Sequence, residues 1–366
     1  MATFALNNVT NNQSVNIELT ETGAKPIVWQ QFGKSFEGQN VHVDEAIKAI
    51  GADFNVSKQP LIRVPQSVYD AIKNGEEVGN INLSKSNLIS SHAATVRDDR
   101  DFTLGVVGSS YGVVQNSKAF EFIDFIKEVS GQEPIVETAG LLGNGERLFV
   151  TCKLGEDSYL NPNDAVRNYV VFSTTHNGMG SVLCFFSPTR IICSNALNMA
   201  IRECPNKVMF KHTKNIDFRL DWEREENRKK AIEVFSKSVK FSEKWLENMK
   251  NLRSQNVDEK FIKDFAAKMY LNDAAYKLYT LNNHSLDGVD EISTRSKNQV
   301  NGLLDSIEYG VGQEYNKGTK LWLINGLTTH IQNVQKWKDA ETHFDSVMGG
   351  SENNRLQKAY NLLIAA

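Results

Sequence analysis

No stretch of this sequence approaches the roughly 20 consecutive apolar residues that a membrane-spanning helix needs. Cysteine is scarce: four residues in 366, at Cys152, Cys184, Cys193 and Cys204. None belongs to a C-x-x-C pair, which argues against a zinc ribbon or a disulfide scaffold and predicts reduced thiols in a cytoplasmic protein. The opening MATFALNNVTNNQSVNIELTETG has no basic start followed by an apolar run, so no secretory leader is expected. Also missing are G-x-x-x-x-G-K-[ST], a G-x-G-x-x-G between strand and helix, H-E-x-x-H, G-x-S-x-G and an EF-hand loop. The seven histidines are scattered without ligand spacing. These absences argue against a nucleotide-driven motor, a zinc peptidase and an α/β-hydrolase, and no metal or other cofactor is expected.

What is there is an ordinary globular composition, 40% hydrophobic and 23% charged, in a chain long enough for two domains. The net charge of −3 is unevenly spread. Between Arg202 and Arg253, 14 Lys and Arg face 9 Asp and Glu, so a basic middle interrupts an acidic chain. Such a stretch points to an anionic partner, or to a solvated helix face whose charges pair among themselves.

The pattern predicts an α+β fold: an N-terminal hairpin-rich antiparallel sheet with helices, followed by a mainly helical C-terminal region. Residues 1–27 read as a loose polar lead-in with a short strand at Val15–Leu19. Residues 28–210 read as an α+β domain and 211–366 as a helical one. VDEAIKAIG predicts a short helix, with Asp44 near its start and Gly51 after its end. Phe54–Val56 and Leu61–Val64 are β-like, and strands at Thr95–Arg97 and Thr103–Val107 flank the turn DDRD. A helix with an apolar face follows at Ser117–Val129, with Ser117 as N-cap. Two hairpins come next: Ile135–Leu141 with Leu148–Leu154 around GNGE, then NYVVFSTT with SVLCFFS around HNGMG. The string RIICSNALNMAI reads as the next helix. Beyond Phe210, apolar residues recur at helical spacing over Leu220–Leu252, Val257–Tyr270, Val300–Ile307, Thr319–Trp337 and Arg355–Ala365.

Polar residues with chemical potential gather in the middle: His176 and Asn177 in a hairpin turn, then Arg190, Cys193 and Asn195, then Lys211, His212 and Thr213. The strings THNGMGSV, SPTRIICSNALNMAI and FKHT carry most of them. Upstream lie LGVVGSSYGVVQNSKAFEFIDFI and ETAGLLGNGERLFV, and near the end GTKLWLINGLTTHIQN. Together these strings resemble the signature blocks of the phage/plasmid-like family, the domain-of-unknown-function family numbered 932, over roughly residues 28–364. Asn177 stands where that family usually has Asp, Ala196 where it has Thr, and Lys211 where it has Arg. Gln332 and Asn333 replace a common Asp-His. A catalytic acid or base at those places would be missing here, which weighs against an enzyme. The resemblance implies a phage or plasmid setting and supplies no established activity.

From the residues, the leading expectation is a nucleic-acid-binding protein handling single strands in phage or plasmid DNA metabolism. A positive groove and stacking rings are what such binders combine, and Tyr169, Phe172, Phe185, Phe186 and Phe210 lie near the basic stretch. The expected contacts are His176, Asn177, Arg190, Lys207, Phe210, Lys211, His212, Lys214, Arg219, Arg228 and Lys229, with His176, Arg190, Asn195 and His212 converging in space. Two alternatives remain open. One is a non-catalytic homo-oligomeric or host-protein-binding protein of a mobile element. The other is an enzyme using His176, Arg190, Cys193 and His212 on a small phosphorylated or nucleotide substrate.

Overall fold

The computed structural model describes residues 32–36, 38–78, 80–161, 164–190, 208–216, 221, 224–310, 312–348 and 350–365. The strand expected at Val15–Leu19 and the helix expected over RIICSNALNMAI lie outside them, apart from Arg190.

The strands are β1 (Lys34–Ser35), β2 (Val56–Ile62), β3 (Leu88–Arg97), β4 (Phe102–Gly108), β5 (Ile135–Leu142), β6 (Arg147–Lys153), β7 (Ser158–Asn161), β8 (Asp164–Thr175), β9 (Val182–Arg190) and β10 (Val208–Phe210). The helices are α1 (Val43–Ala49), α2 (Gln66–Asn74), α3 (Lys118–Ser130), α4 (Glu225–Ser254), α5 (Glu259–Tyr270), α6 (Asp273–Leu281), α7 (Thr294–Tyr309), α8 (Lys320–Thr329), α9 (Ala340–Met348) and α10 (Ser351–Ala365).

The two Asn-Gly hairpins, β5–β6 and β8–β9, lie side by side in one seven-stranded antiparallel sheet of order β1-β5-β6-β8-β9-β10, with β7 also paired to β8. Their turns need left-handed backbone, which Gly143 and Gly178 supply with φ of 64° and 77°. A second sheet, β2-β3-β4, is also antiparallel.

The inner strands read as near-continuous apolar runs because both faces of the main sheet are covered. Leu148, Val150, Cys152, Val170, Phe172 and Cys184 pack on one side with Phe122, Phe125 and Ile126 of α3 and Ile47 of α1. Their neighbours Phe149, Tyr169, Val171 and Phe185 point the other way, into one cluster with Trp245, Phe265, Leu321, Leu327 and Phe344 of the helices. The helical region therefore shares a core with the sheet. Among the described residues beyond 210 the regular elements are all helical, and the one β-bridge there joins Asn256 to Thr319. No helix among the described residues is long and apolar enough to cross a membrane.

Several local expectations need correction. Ser117 occupies the N-cap position of α3 but makes no side-chain cap bond, because its own backbone is already helical at φ −60° and ψ −20°. The amides of Lys118 and Ala119 are instead met by the carbonyls of Gln115 and Asn116. Arg190 ends a strand rather than starting a helix. Among the described residues β10 pairs only with Val182–Cys184, so no strand described there asks Pro188 for an N–H on that side. The helical pattern over Thr319–Trp337 breaks at His330, where α8 passes into a π turn, His330–Val334. All ten residues of α8 are buried.

Candidate functional site

Four of the signature strings, those holding Tyr111, Glu146, His176 and His212, meet where the turn of the second hairpin faces the small sheet. His176 follows the last residue of β8 and is fully buried. Its N–H donates to the carbonyl of Glu146 at 2.7 Å, and its carbonyl accepts from Thr95 Oγ1 at 2.6 Å. The ring Nε2 lies 2.9 Å from Asn116 Oδ1. Asn116 spends its amide N–H on the carbonyl of Ala52 at 2.8 Å, which leaves its oxygen for the imidazole and assigns the proton to Nε2. Next to Asn116, Gln115 clamps Val56 of β2 from both sides, accepting from its N–H at 2.9 Å and donating to its carbonyl at 2.8 Å.

Tyr111 ties this network to the segment after β10. Its hydroxyl donates to the carbonyl of Thr175 at 2.6 Å, while its ring stacks on His212 with centroids 4.5 Å apart and planes 8° from parallel. His212 Nδ1 donates to the carbonyl of Gly112 at 2.9 Å. Gly112 is required there, because a Cβ would run into the carbonyl oxygen of Thr213 and the side chain of Ile216. Two arginines close the ends. Arg97, buried under the Phe54 ring at 3.8 Å, holds Asp99 with two bonds of 2.7 Å. Arg147 pairs with Asp345 of α9, and Asn177 donates to Glu341 of the same helix at 3.0 Å.

The electrostatics follow from burial. Removal from water, with the positive neighbours His212 and Arg97, pushes the His176 imidazole down to about 3. His212 is lowered as well, by burial. Tyr111 is raised, also by burial. A general acid or base works best with a pKa near the working pH, so a neutral His176 locked to an amide is poorly suited to proton transfer. Cys152 and Cys184 are buried and their thiols pushed up, the opposite of an activated nucleophile. Cys193 and Cys204 lie outside the described residues. Among those described, no three His, Cys, Asp or Glu side chains come together as a metal site would require.

The expected contact residues separate into groups. His176 and His212 do meet, through Tyr111. Arg190 does not join them: it pairs with Val166, ten positions along β8 from His176, or roughly 30 Å away at strand rise. Asn195, Lys207 and Arg219 lie outside the described residues. His176 is sealed from solvent, so direct contact with a nucleic acid at that ring is not available. The proposed stacking rings Tyr169, Phe172, Phe185 and Phe186 are core residues. Phe210 is half-buried against the sheet core. Arg228 is bound to Glu128 and lies over the Phe125 ring, and Lys229 pairs with Glu225 one turn away. Lys211 and Lys214 remain exposed with no carboxylate partner among the described residues. Residues the chemical reading passed over, Tyr111, Asn116, Arg97 and Arg147, prove central. Three of them, Tyr111, Asn116 and Arg147, stand inside the signature strings, which was the available signal.

A family model described as a domain of unknown function, DUF932, matches residues 103–358, more than half of the chain. No curated protein and no solved structure matches it.

Proposed function

This chain belongs to the DUF932 family, and we propose that it is a nucleic-acid-binding protein that holds the phosphate backbone of single strands during phage or plasmid DNA metabolism. The observation that carries this reading is the pair Lys211 and Lys214, exposed on the segment leaving β10, the last strand of the main sheet among the described residues. His212 anchors that segment between them by its stack on Tyr111 and its bond to Gly112. Two cations on a fixed segment lose less freedom on binding than two on a free tail. Three residues apart, their Cα atoms are at most about 10 Å from each other. With their flexible stems the two ammonium groups can meet neighbouring phosphates of one strand.

The reading differs from the sequence expectation in one respect: it rests on backbone charge and not on stacking, since the expected rings are buried. Replacing Lys211 and Lys214 together by alanine is expected to weaken single-strand binding and to flatten the log affinity–log salt slope by about 1.4, or about 0.7 per lost phosphate contact. The check is a fluorescence-anisotropy titration of both proteins across several salt concentrations. An unchanged slope in the double variant would remove these lysines from the interface. Phe210→Ala is expected to act on stability and to leave that slope alone.

A further inference from the structure

We infer that the groove between the start of α5 and the start of α8 binds a phosphate monoester whose organic part rests on Phe261 and Val257. Lys211 and Lys214 do not line this groove, so it is a second site, separate from the strand contact proposed above. Gly318, left-handed at φ 79°, turns the chain so that residues 318–320 run beside 255–257. The N–H of Val257 donates to the carbonyl of Gly318 at 2.9 Å, that of Lys320 donates to the carbonyl of Gln255 at 2.9 Å, and Asn256 bridges Thr319. Thr319 caps α8 by accepting from the N–H of Trp322, and Asp258 caps α5 by accepting from the N–H of Phe261. Helices of 12 and 10 residues therefore begin at one groove, and a helix start favours an anion. The groove encloses about 480 Å³, in the size range of small-molecule sites.

The second observation is a buried cation on its wall. Lys320 is 6% exposed, and its ammonium meets Oε1 of Gln255 but no carboxylate within ion-pair distance among the described residues. An ammonium taken out of water without a counter-ion is unfavourable, and an ammonium has three N–H groups to give. Lys260, exposed in the first turn of α5, also lines the groove without a carboxylate partner, while its neighbours Lys263 and Glu259 pair with each other. The two acids on the groove are already engaged. Asp258 holds the cap of α5, and Asp264 is bound to Nδ1 of His284.

The donors select the ligand class. A phosphate monoester brings close to two negative charges and three terminal oxygens, whereas a carboxylate brings one charge and two oxygens. Two ammonium groups, with the side chain of Asn256 on the same wall, match the phosphate, which lysines bind as point charges. Phe261 and Val257 are half-buried beside them and give an apolar wall that a bare phosphate ion would leave uncovered.

The test is isothermal titration calorimetry of the full chain with phenyl phosphate, inorganic phosphate and phenol as probes. Phenyl phosphate is expected to bind at least about tenfold more tightly than either fragment. Lys320→Gln is expected to weaken it at least about tenfold, and Lys260→Gln, at an exposed position, about threefold. Melting curves accompany both variants, and Lys260→Gln carries the test if Lys320→Gln does not fold. A wild type that does not bind phenyl phosphate at millimolar concentration, or an affinity unchanged in the folded variants, would overturn the inference. Lys211→Ala/Lys214→Ala is expected to bind phenyl phosphate as the wild type does, so failure of the strand reading leaves this result in place. Loss of binding there and not in Lys320→Gln would put the phosphate on that segment and overturn the inference. The source of the ester is read by competition. Displacement of phenyl phosphate by a 5′-phosphorylated oligonucleotide, and not by its 5′-hydroxyl counterpart, assigns the groove to strand ends, and displacement by adenosine 5′-monophosphate alone assigns it to free nucleotides.

Discussion

Acidification from pH 7 to pH 4 is expected to cost the fold on the order of 5 kcal/mol, chiefly through two buried histidines. Burial pushes His176 down to about 3 and His343 to about 4, from an ordinary value of 6.5. His343 is stacked on Trp337 with centroids 4.6 Å apart and meets the edge of Phe32 at 4.8 Å, so its ring is held in apolar surroundings. In the window between 6.5 and these depressed values the unfolded chain takes up a proton at each site and the native chain does not. Their contribution is therefore complete above pH 6.5 and drains away as pH falls toward 3–4, by about 1.4 kcal/mol per pH unit for each. Asp99, held below the usual carboxylate range by its bonds to Arg97, loses its contribution only below about pH 4. Asp345, raised by burial, acts in the opposite sense. Denaturant unfolding at pH 7, 6, 5 and 4.5 is the check, with His176→Gln and His343→Leu alongside. Each variant should show a shallower pH dependence than the wild type. A flat profile for the wild type between pH 6.5 and 4.5 would contradict the burial of both rings.

Replacing Phe149 by alanine is expected to lower the unfolding free energy by about 3–5 kcal/mol, the usual range for emptying a buried aromatic site. Phe149 is fully buried on β6, with its ring 5.4 Å from that of Phe344 on α9. It sits where the sheet and the helical layer share one cluster. The site cannot readily close, because Gly140 already brings the backbone of β5 against the Phe149 ring. The shared core also predicts one cooperative transition for the wild type, followed by circular dichroism and by tryptophan fluorescence. Two separated transitions, or a loss under about 1 kcal/mol in the variant, would show that the two layers are not coupled through this contact.

The parts of the fold legible in the sequence are those fixed by local chemistry. The hairpins at 135–154 and 168–187 were readable because Asn-Gly turns and runs such as LFVTC and YVVF admit few other structures. Helices α3, α4, α5, α7 and α10 were readable from their spacing. What escaped was set by tertiary context. α2 is amphipathic, but its first turn holds no acidic residue, the start signal that marked the shorter α1. Arg190 follows a Ser-Pro-Thr string that locally suggests a helix start, yet pairing with β8 keeps it in a strand. His176 illustrates the site as a whole. A polar residue in a hairpin turn is expected at the surface, and it is tertiary contact with Thr95, Asn116 and Phe54 that buries it. The exposure of Lys211 and Lys214, beside the in-house pairing of Arg228 and Lys229, likewise could not be read from a basic stretch.

The nucleic-acid reading is tested most directly by titrating the purified full chain with single- and double-stranded DNA of mixed sequence at low and physiological salt. Binding to the single strand at low salt is expected, weakening as salt rises with a log–log slope of at least about −1.4 for a contact built on Lys211 and Lys214. A flat titration with both kinds of DNA at low salt would contradict the account.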